Sequence, residues 1–238
     1  MSDVIKDTLS LFDRGLIGRF RRDCQNDWLQ FTQHRFVKEL AAGTLEQKEF
    51  QQFLIQDYLY LHDYCRVVSL AIYKSNDFTE MQYFASLMQG LLNAELPFHI
   101  KYCQERGITQ GQIEKSSKTL ELVAYSQYLL SKSMQGDLLD LIVLLSPCLV
   151  GYGEIGLRMS IDKCTNIKNN PYQSWLNTYT DSLYIDLIKK SFYFIDELGK
   201  KYGAEQRYQT LLEKFTMSVR LESAFWNVGR ANLLGAIS

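Results

Sequence analysis

Three kinds of side chain in this sequence could do chemistry. The first is a thiol. Cys148 lies in the apolar run Leu144-Leu145-Ser146-Pro147-Cys148-Leu149-Val150-Gly151-Tyr152, directly after a proline and one helical turn before a tyrosine. On a helix that spacing puts Cys148 and Tyr152 on one face. Pro147 has no N–H, so a helix passing through it kinks or restarts there and frees backbone groups beside the thiol. Thiolate is the reactive form, so a nucleophilic Cys148 needs a lowered pKa, a base or hydrogen bonds. A buried structural cysteine is the plainer reading of this stretch taken alone. The second kind is the carboxyl. Asp57, in Gln56-Asp57-Tyr58-Leu59-Tyr60, shares a helical face with Tyr60 and sits among apolar residues, where a carboxylate needs a partner. The plainer alternative is an exposed Asp at the edge of the stripe. Glu222, just before Phe225-Trp226, could shuttle a proton. The third kind is tyrosine, 15 in all. Its hydroxyl can orient a thiol and its ring can stack on a flat ligand, or it can simply fill core and surface.

Other chemistries find less support. Ferritin-like di-iron sites need two Glu-x-x-His motifs plus further carboxylates. Glu95 and His99 are spaced i, i+4, and His34 and His62 supply no second copy, so no metal site is expected. The cysteines number 5, an odd count without a CxxC pair, which suggests neither a disulfide framework nor a zinc site. There is no G-x-S-x-G and no glycine-rich phosphate loop, and no cofactor is implied. Net charge is −1 with both signs interspersed, so the basic footprint of a nucleic-acid binder is absent. The first twenty residues are too charged for a signal-peptide core, and no run of about 18 uninterrupted apolar residues suggests a membrane span. The expectation is a cytoplasmic protein in a reducing compartment.

The elements that must position these residues read as helices. Val4, Ile5, Leu9, Phe12, Leu16 and Phe20 form one helical stripe, and Trp28 to Leu40 a second that ends near Gly43. Gly43 suits the residue after a helix end, and Thr44 with Gln47 fits a capping box for the next. That helix runs from about Glu46 to Asp77 and carries Asp57 and Tyr60. Phe78 to Arg106 follows, with Phe84, Leu87, Met88, Leu91 and Leu92 facing inward. Leu120 to Met134 carries Tyr125, and about Leu138 to Ile161 carries Cys148. Residues 166–170 read as a polar loop, followed by a segment with Tyr172, Trp175 and Tyr179. Tyr184 to Lys201 and Tyr208 to Asn227 complete the chain. No strand alternation and no internal repeat occurs. The fold class is all-α, a single domain of about eight helices over residues 1–238.

Taken in order, several of these stretches resemble the thiaminase II (TenA-like) family. They are Asp57 with Tyr60 in Gln-Asp-Tyr-Leu-Tyr, Tyr125 in Ala-Tyr-Ser, and Pro147-Cys148 with Tyr152 and Glu154. Tyr172, Trp175 and Tyr179 follow, then Glu222 with Phe225-Trp226. Phe31 to Val37 and Gly43-Thr44-Leu45 fit the family's opening. Each motif alone is weak; the ordered set, over about residues 28–230, is specific. Cys148 places the chain in the cysteine-bearing branch, with residues 1–20 as an N-terminal helical extension. The resemblance implies a haem-oxygenase-like multi-helix bundle, usually a homotetramer. It implies hydrolysis of 4-amino-5-aminomethyl-2-methylpyrimidine, and often of thiamin, to the hydroxymethyl pyrimidine used in thiamin salvage. By the same resemblance Cys148 is the nucleophile, Glu222 the proton donor to the leaving group and Tyr60 the support of the cysteine. Asp57 holds the aminopyrimidine edge, and Tyr125, Tyr152 and Tyr179 line the ring. Two departures stand out: Arg35 replaces the proline usual after His34, and Asp63-Tyr64-Cys65-Arg66 replaces a Phe-Ala-Arg pattern. The second lies one turn beyond Tyr60 and bears on substrate choice. The rival reading is a non-catalytic pyrimidine-binding or regulatory protein on the same bundle.

Overall fold

The computed structural model describes residues 2–162, 165–166 and 169–230. Cys164 lies outside them. Among the described residues there are thirteen α-helices and no strand. By internal contacts the chain divides into two compact units. Unit one comprises Met1–Leu45 and Ile142–Ser223, and unit two comprises Glu46–Leu141 and Ala224–Ser238.

Unit one begins with α1 (Ser2–Ser10), a 3-10 turn (Leu11–Asp13) and α2 (Gly15–Asp23). One continuous stripe was expected here; the chain instead breaks at Arg14-Gly15, where Gly15 has φ 61°. The break is set from far along the chain. Asp196 accepts the Leu16 amide at 2.8 Å, capping the new helix, and a Cβ on Gly15 would lie 2.3 Å from that carboxylate. The expected second helix likewise divides, into α3 (Gln25–Thr32) and α4 (Arg35–Ala42). His34 caps α4, its Nδ1 accepting from the Phe36 amide at 3.2 Å. Gly43 ends α4 in the left-handed region, as its position suggested. The unit continues with most of α10 (Leu138–Ile161), α11 (Gln173–Thr178), α12 (Ser182–Lys201), a 3-10 turn (Glu205–Arg207) and most of α13 (Tyr208–Phe225). Its core is aromatic. Trp28 stacks on Phe215 at 5.7 Å, Phe20 lies 5.3 Å from Phe215, and Phe12 meets Phe192 edge-on at 4.9 Å.

Unit two is built on α5 (Gln47–Lys74), which packs against α6 (Phe78–Gly90), α7 (Leu96–Gln104), α8 (Gln110–Glu114) and α9 (Leu120–Gln135). No glycine or proline interrupts its 28 residues. The capping box expected from Thr44 and Gln47 does not form. Glu46 is the N-cap, without a side-chain bond, because the Thr44 amide and hydroxyl serve the Glu39 carbonyl at the end of α4. A capping box does form at Thr109 and Gln112, starting the short α8, which the periodicity had not suggested. Between α6 and α7 the helix widens into a π turn, Leu91–Glu95, just ahead of Pro97. A proline removes one amide and crowds the carbonyl four residues back, and the wider turn accommodates it. The turn also shifts the register, so Leu92, expected inside, is 50% exposed, whereas Phe84, Leu87 and Leu91 are buried. At the far end of α5, Lys74 Nζ donates to the carbonyls of Ser133, Met134 and Gly136, tying down the end of α9.

The α10 bounds coincide with the apolar run seen in the sequence. By length and composition this helix is apolar enough to cross a bilayer, yet 94% of its most apolar stretch is buried within the protein. Pro147 lies inside it. In an α-helix the amide of residue 147 would serve the Val143 carbonyl. That carbonyl is served instead by the hydroxyl of Ser146, at 2.9 Å. One turn of polar repair therefore lies immediately before Cys148.

Candidate active site

The sequence-selected residues fall into two groups. In unit two, Asp57 and Tyr60 stand three residues apart on α5, and Tyr125 comes from α9. The Tyr60 and Tyr125 rings stack at 4.8 Å, and Phe225 lies 5.5 Å from Tyr60. All are buried, so these phenols present an aromatic wall fixed by ring packing. Asp57 is 5% exposed, inside the apolar region and not at its edge. Its Oδ2 lies 2.7 Å from Nε2 of His99, on α7. The other ring nitrogen of His99 lies 2.7 Å from the Glu95 carbonyl oxygen. Burial together with the neighbouring Asp57 charge pushes the Glu95 carboxyl up to about 7. Sequence reasoning weighed Glu95 and His99 only as metal ligands and missed this role. The signal that could have found it was Asp57 itself, a carboxylate in an apolar setting that needed a partner.

Asp63, one turn beyond Tyr60, is also buried and bonded to Arg66 and Lys118. Burial alone would raise its carboxyl, but the bonds from Lys118 and Arg66 bring it below the usual carboxylate value. The departure at Asp63 is thus a clamp that fixes the loop before α9 and, through α9, Tyr125. Arg35, the other departure, pairs with Glu39 along α4.

In unit one, Cys148 and Tyr152 stand one turn apart on α10. Cys148 is half-buried and in no disulfide, while Tyr152 is buried. Tyr152 lies 5.6 Å from Tyr179 and 5.9 Å from Phe31, and Trp175 meets Tyr179 at 4.7 Å. Gly156 permits this close approach of α11, because a Cβ there would sit 2.6 Å from Tyr179 Cβ. The Tyr184 hydroxyl donates to the Leu149 carbonyl at 2.9 Å, next to the thiol-bearing residue. Glu222 is buried on α13. Tyr172 is structural: its hydroxyl donates to the Leu45 carbonyl. Glu154 is structural too, a buried carboxylate held by Arg21, by Trp28 Nε1 at 2.7 Å and by Arg158. The other described cysteines offer no reactive thiol. Burial pushes Cys24, Cys65 and Cys103 each up to about 11, so they stay protonated at neutral pH. No three His, Cys, Asp or Glu side chains group as metal ligands among the described residues.

A thiol one turn from a tyrosine, aromatic walls and buried carboxyls are the parts that covalent chemistry on a flat ring requires. Against known families, residues 21–232 match the model of the TENA/THI-4/PQQC family. The chain belongs to that family. Among its TenA relatives it is similar to the aminopyrimidine aminohydrolase of Halalkalibacterium halodurans, 33% identical over 84% of this chain and 89% of the relative. A crystal structure of a TenA family transcription regulator from a Silicibacter species shares 32% identity, with a TM-score of 0.84 over 90% of this chain and 96% of that one. A Shewanella denitrificans domain with a haem-oxygenase-like fold has a TM-score of 0.72 over 92% of this chain and 94% of that one, at 11% identity. The expected TenA-like family and haem-oxygenase-like helical fold are therefore found. The family match starts at residue 21, but the preceding segment is integral to unit one through Phe12 and the Asp196 cap.

Proposed function

We propose that this chain is an aminopyrimidine aminohydrolase of thiamin salvage. It would convert 4-amino-5-aminomethyl-2-methylpyrimidine and water to the hydroxymethyl pyrimidine and ammonia, and act on thiamin as a second substrate. The observation that carries the reading is the similarity, over most of both chains, to a relative of that name. The residues add a chemical rationale. The Cys148 thiolate adds to the pyrimidine ring, breaking its aromaticity. The ring electrons then expel the substituent on the methylene carbon, with Glu222 giving a proton to the departing amine. Water adds to the methylene carbon, and loss of the thiolate restores the aromatic ring. Covalent addition divides one hard displacement into two easier steps. Asp57 accepts from the exocyclic amine, Tyr60 supports the thiol, and Tyr125, Tyr152 and Tyr179 hold the ring.

The rival is a pyrimidine-binding regulator; the Silicibacter relative is called a transcription regulator. A binder needs aromatic walls and Asp57 but neither a nucleophile nor a proton donor, and this chain retains Cys148 and Glu222. The test follows release of hydroxymethyl pyrimidine from both substrates by the wild type and by Cys148→Ser. The expected result is turnover by the wild type and collapse in the variant, with the helical circular-dichroism spectrum intact. Near-normal turnover by Cys148→Ser overturns the covalent role. Tight pyrimidine binding without turnover by the wild type favours the regulator. A homotetramer and a cytoplasmic site of action belong to the same proposal, and sedimentation velocity tests the first.

A further inference from the structure

Asp57 and His99 are 42 residues apart in sequence and meet within unit two. Their geometry fixes where protons sit. The Glu95 carbonyl can only accept, so His99 Nδ1, 2.7 Å away, carries a proton and donates it. Nε2 faces Asp57 Oδ2, an acceptor when ionised, again at 2.7 Å. Both ring nitrogens therefore point at oxygen acceptors, the pattern an imidazolium satisfies and a neutral imidazole does not. Both residues are nearly inaccessible, 1% and 5% exposed, and a cation beside the carboxylate leaves no uncompensated charge there. Among the described residues Asp57 Oδ1 receives no hydrogen bond, so the two oxygens have different neighbours.

We propose that His99 is a positioning residue for Asp57: as an imidazolium it pins Oδ2 and so presents Oδ1 as the acceptor for the exocyclic amine of an aminopyrimidine. The proposal rests on the reading of this chain as an aminopyrimidine enzyme. Burial would pull His99 down, but the Asp57 bond and charge and the Glu95 carboxyl raise it above its ordinary value, in accord with this assignment. The pinned carboxylate also changes the recognition expected of Asp57. With Oδ2 engaged by His99, the contact to the amine falls on Oδ1.

The experiment combines a double-mutant cycle with a spectroscopic readout. Affinity for 4-amino-5-hydroxymethyl-2-methylpyrimidine is measured by calorimetry for the wild type, Asp57→Asn, His99→Gln and the double variant. Gln can still donate to Oδ2 but carries no charge. His99→Gln alone is expected to weaken binding about tenfold or more, the scale of a charge-assisted hydrogen bond. In the Asp57→Asn background the same change is expected to have less than about a twofold effect, because the residue acts through Asp57. In turnover the loss should fall on KM more than on kcat, since a ring contact is made in ground and transition states alike. In 15N-histidine spectra at neutral pH, His99 should show both ring nitrogens protonated, and Asp57→Asn should remove that signature. An equal affinity loss from His99→Gln in both backgrounds, or an unprotonated Nε2 at neutral pH in the wild type, overturns the proposal while leaving the proposed activity standing. A folded wild type that binds no pyrimidine overturns the activity and this inference with it.

Discussion

Replacing Ser146 by Ala tests how α10 tolerates its proline next to the thiol. Ser146 is fully buried, and its hydroxyl donates to the Val143 carbonyl at 2.9 Å. That carbonyl would ordinarily be served by the amide Pro147 lacks. Losing the hydroxyl leaves a buried carbonyl without this donor, a cost of about 1–3 kcal/mol. Alanine returns about 0.5 kcal/mol through its better helix preference. The net loss is about 0.5–2.5 kcal/mol, which for a chain of this size lowers Tm by roughly 1–10 °C. Ser160 is the internal control. Its hydroxyl makes the same i to i−3 bond, to the Leu157 carbonyl at 2.7 Å, but helix geometry already gives Leu157 the amide of Ile161. Ser160→Ala should therefore change stability by less than about 0.5 kcal/mol. The sharper assay is denaturant unfolding of a cycle with Pro147→Ala, which restores the amide. In that background Ser146→Ala should cost almost nothing, giving a coupling of about 0.5–2.5 kcal/mol. Equal costs in both backgrounds, or equal costs for Ser146→Ala and Ser160→Ala, would refute the repair argument.

Glu222→Gln keeps the shape of the side chain but cannot deliver a proton. It should slow release of ammonia from the aminomethyl substrate by roughly 10²–10⁴-fold and affect thiamin much less, because thiazole leaves neutral; equal losses in steady-state rates on both would move Glu222 to a shared step. Gly156→Ala puts a Cβ where only 2.6 Å separates it from Tyr179 Cβ, so displacement of Tyr179 should cost about 1–3 kcal/mol in unfolding experiments and raise KM for the pyrimidine; unchanged values for both would mean α11 is not held at that distance. The Glu95 carboxyl, pushed up to about 7 by burial and the Asp57 charge against the lowering influence of His99, binds its proton more tightly folded than unfolded. Its contribution is therefore fully present below its ordinary value near 4.5 and is lost as pH rises through about 7. Glu95→Gln should flatten the fall in Tm across that window, while a steeper fall would reverse the assignment. Burial and, secondarily, the Glu95 charge push the Cys65 thiol up to about 11, so it stays protonated near neutrality and adds no charge there.

Much of the fold is legible in sequence because hydrophobic period and length suffice for long helices. The apolar run around Cys148 marks α10 from Leu138 to Ile161 without ambiguity. What the period cannot show is a break imposed from elsewhere. Nothing near Arg14 announces that Asp196 caps a new helix there, and nothing in Thr44 says its hydroxyl serves the preceding helix. The site divides in the same way. Asp57 and Tyr60, or Cys148 and Tyr152, share a face by spacing, so each pair is visible on one helix. His99 meets Asp57 across tertiary packing, and with its i, i+4 partner Glu95 it was weighed only as a metal ligand and set aside, when the useful property was the carbonyl and carboxyl beside an imidazole.

The division of the chain into interleaved segments has a consequence for how it is made. Leu16 and its cap Asp196 are separated by 180 residues, and Arg220 pairs with Asp27 across 193. At a ribosomal rate of about 5–20 residues per second, the start of α2 waits roughly 10–40 s for its cap to be synthesised. Residues 46–141, which supply most of unit two, emerge in that interval and can begin to close around α5. The amino-terminal helices, with Phe12, Phe20 and Trp28, meanwhile await Phe192 and Phe215. Slowing translation after about residue 141 should lengthen their exposure and increase capture by chaperones, whereas slowing it only after Phe225, when these partners have already been made, should have little effect.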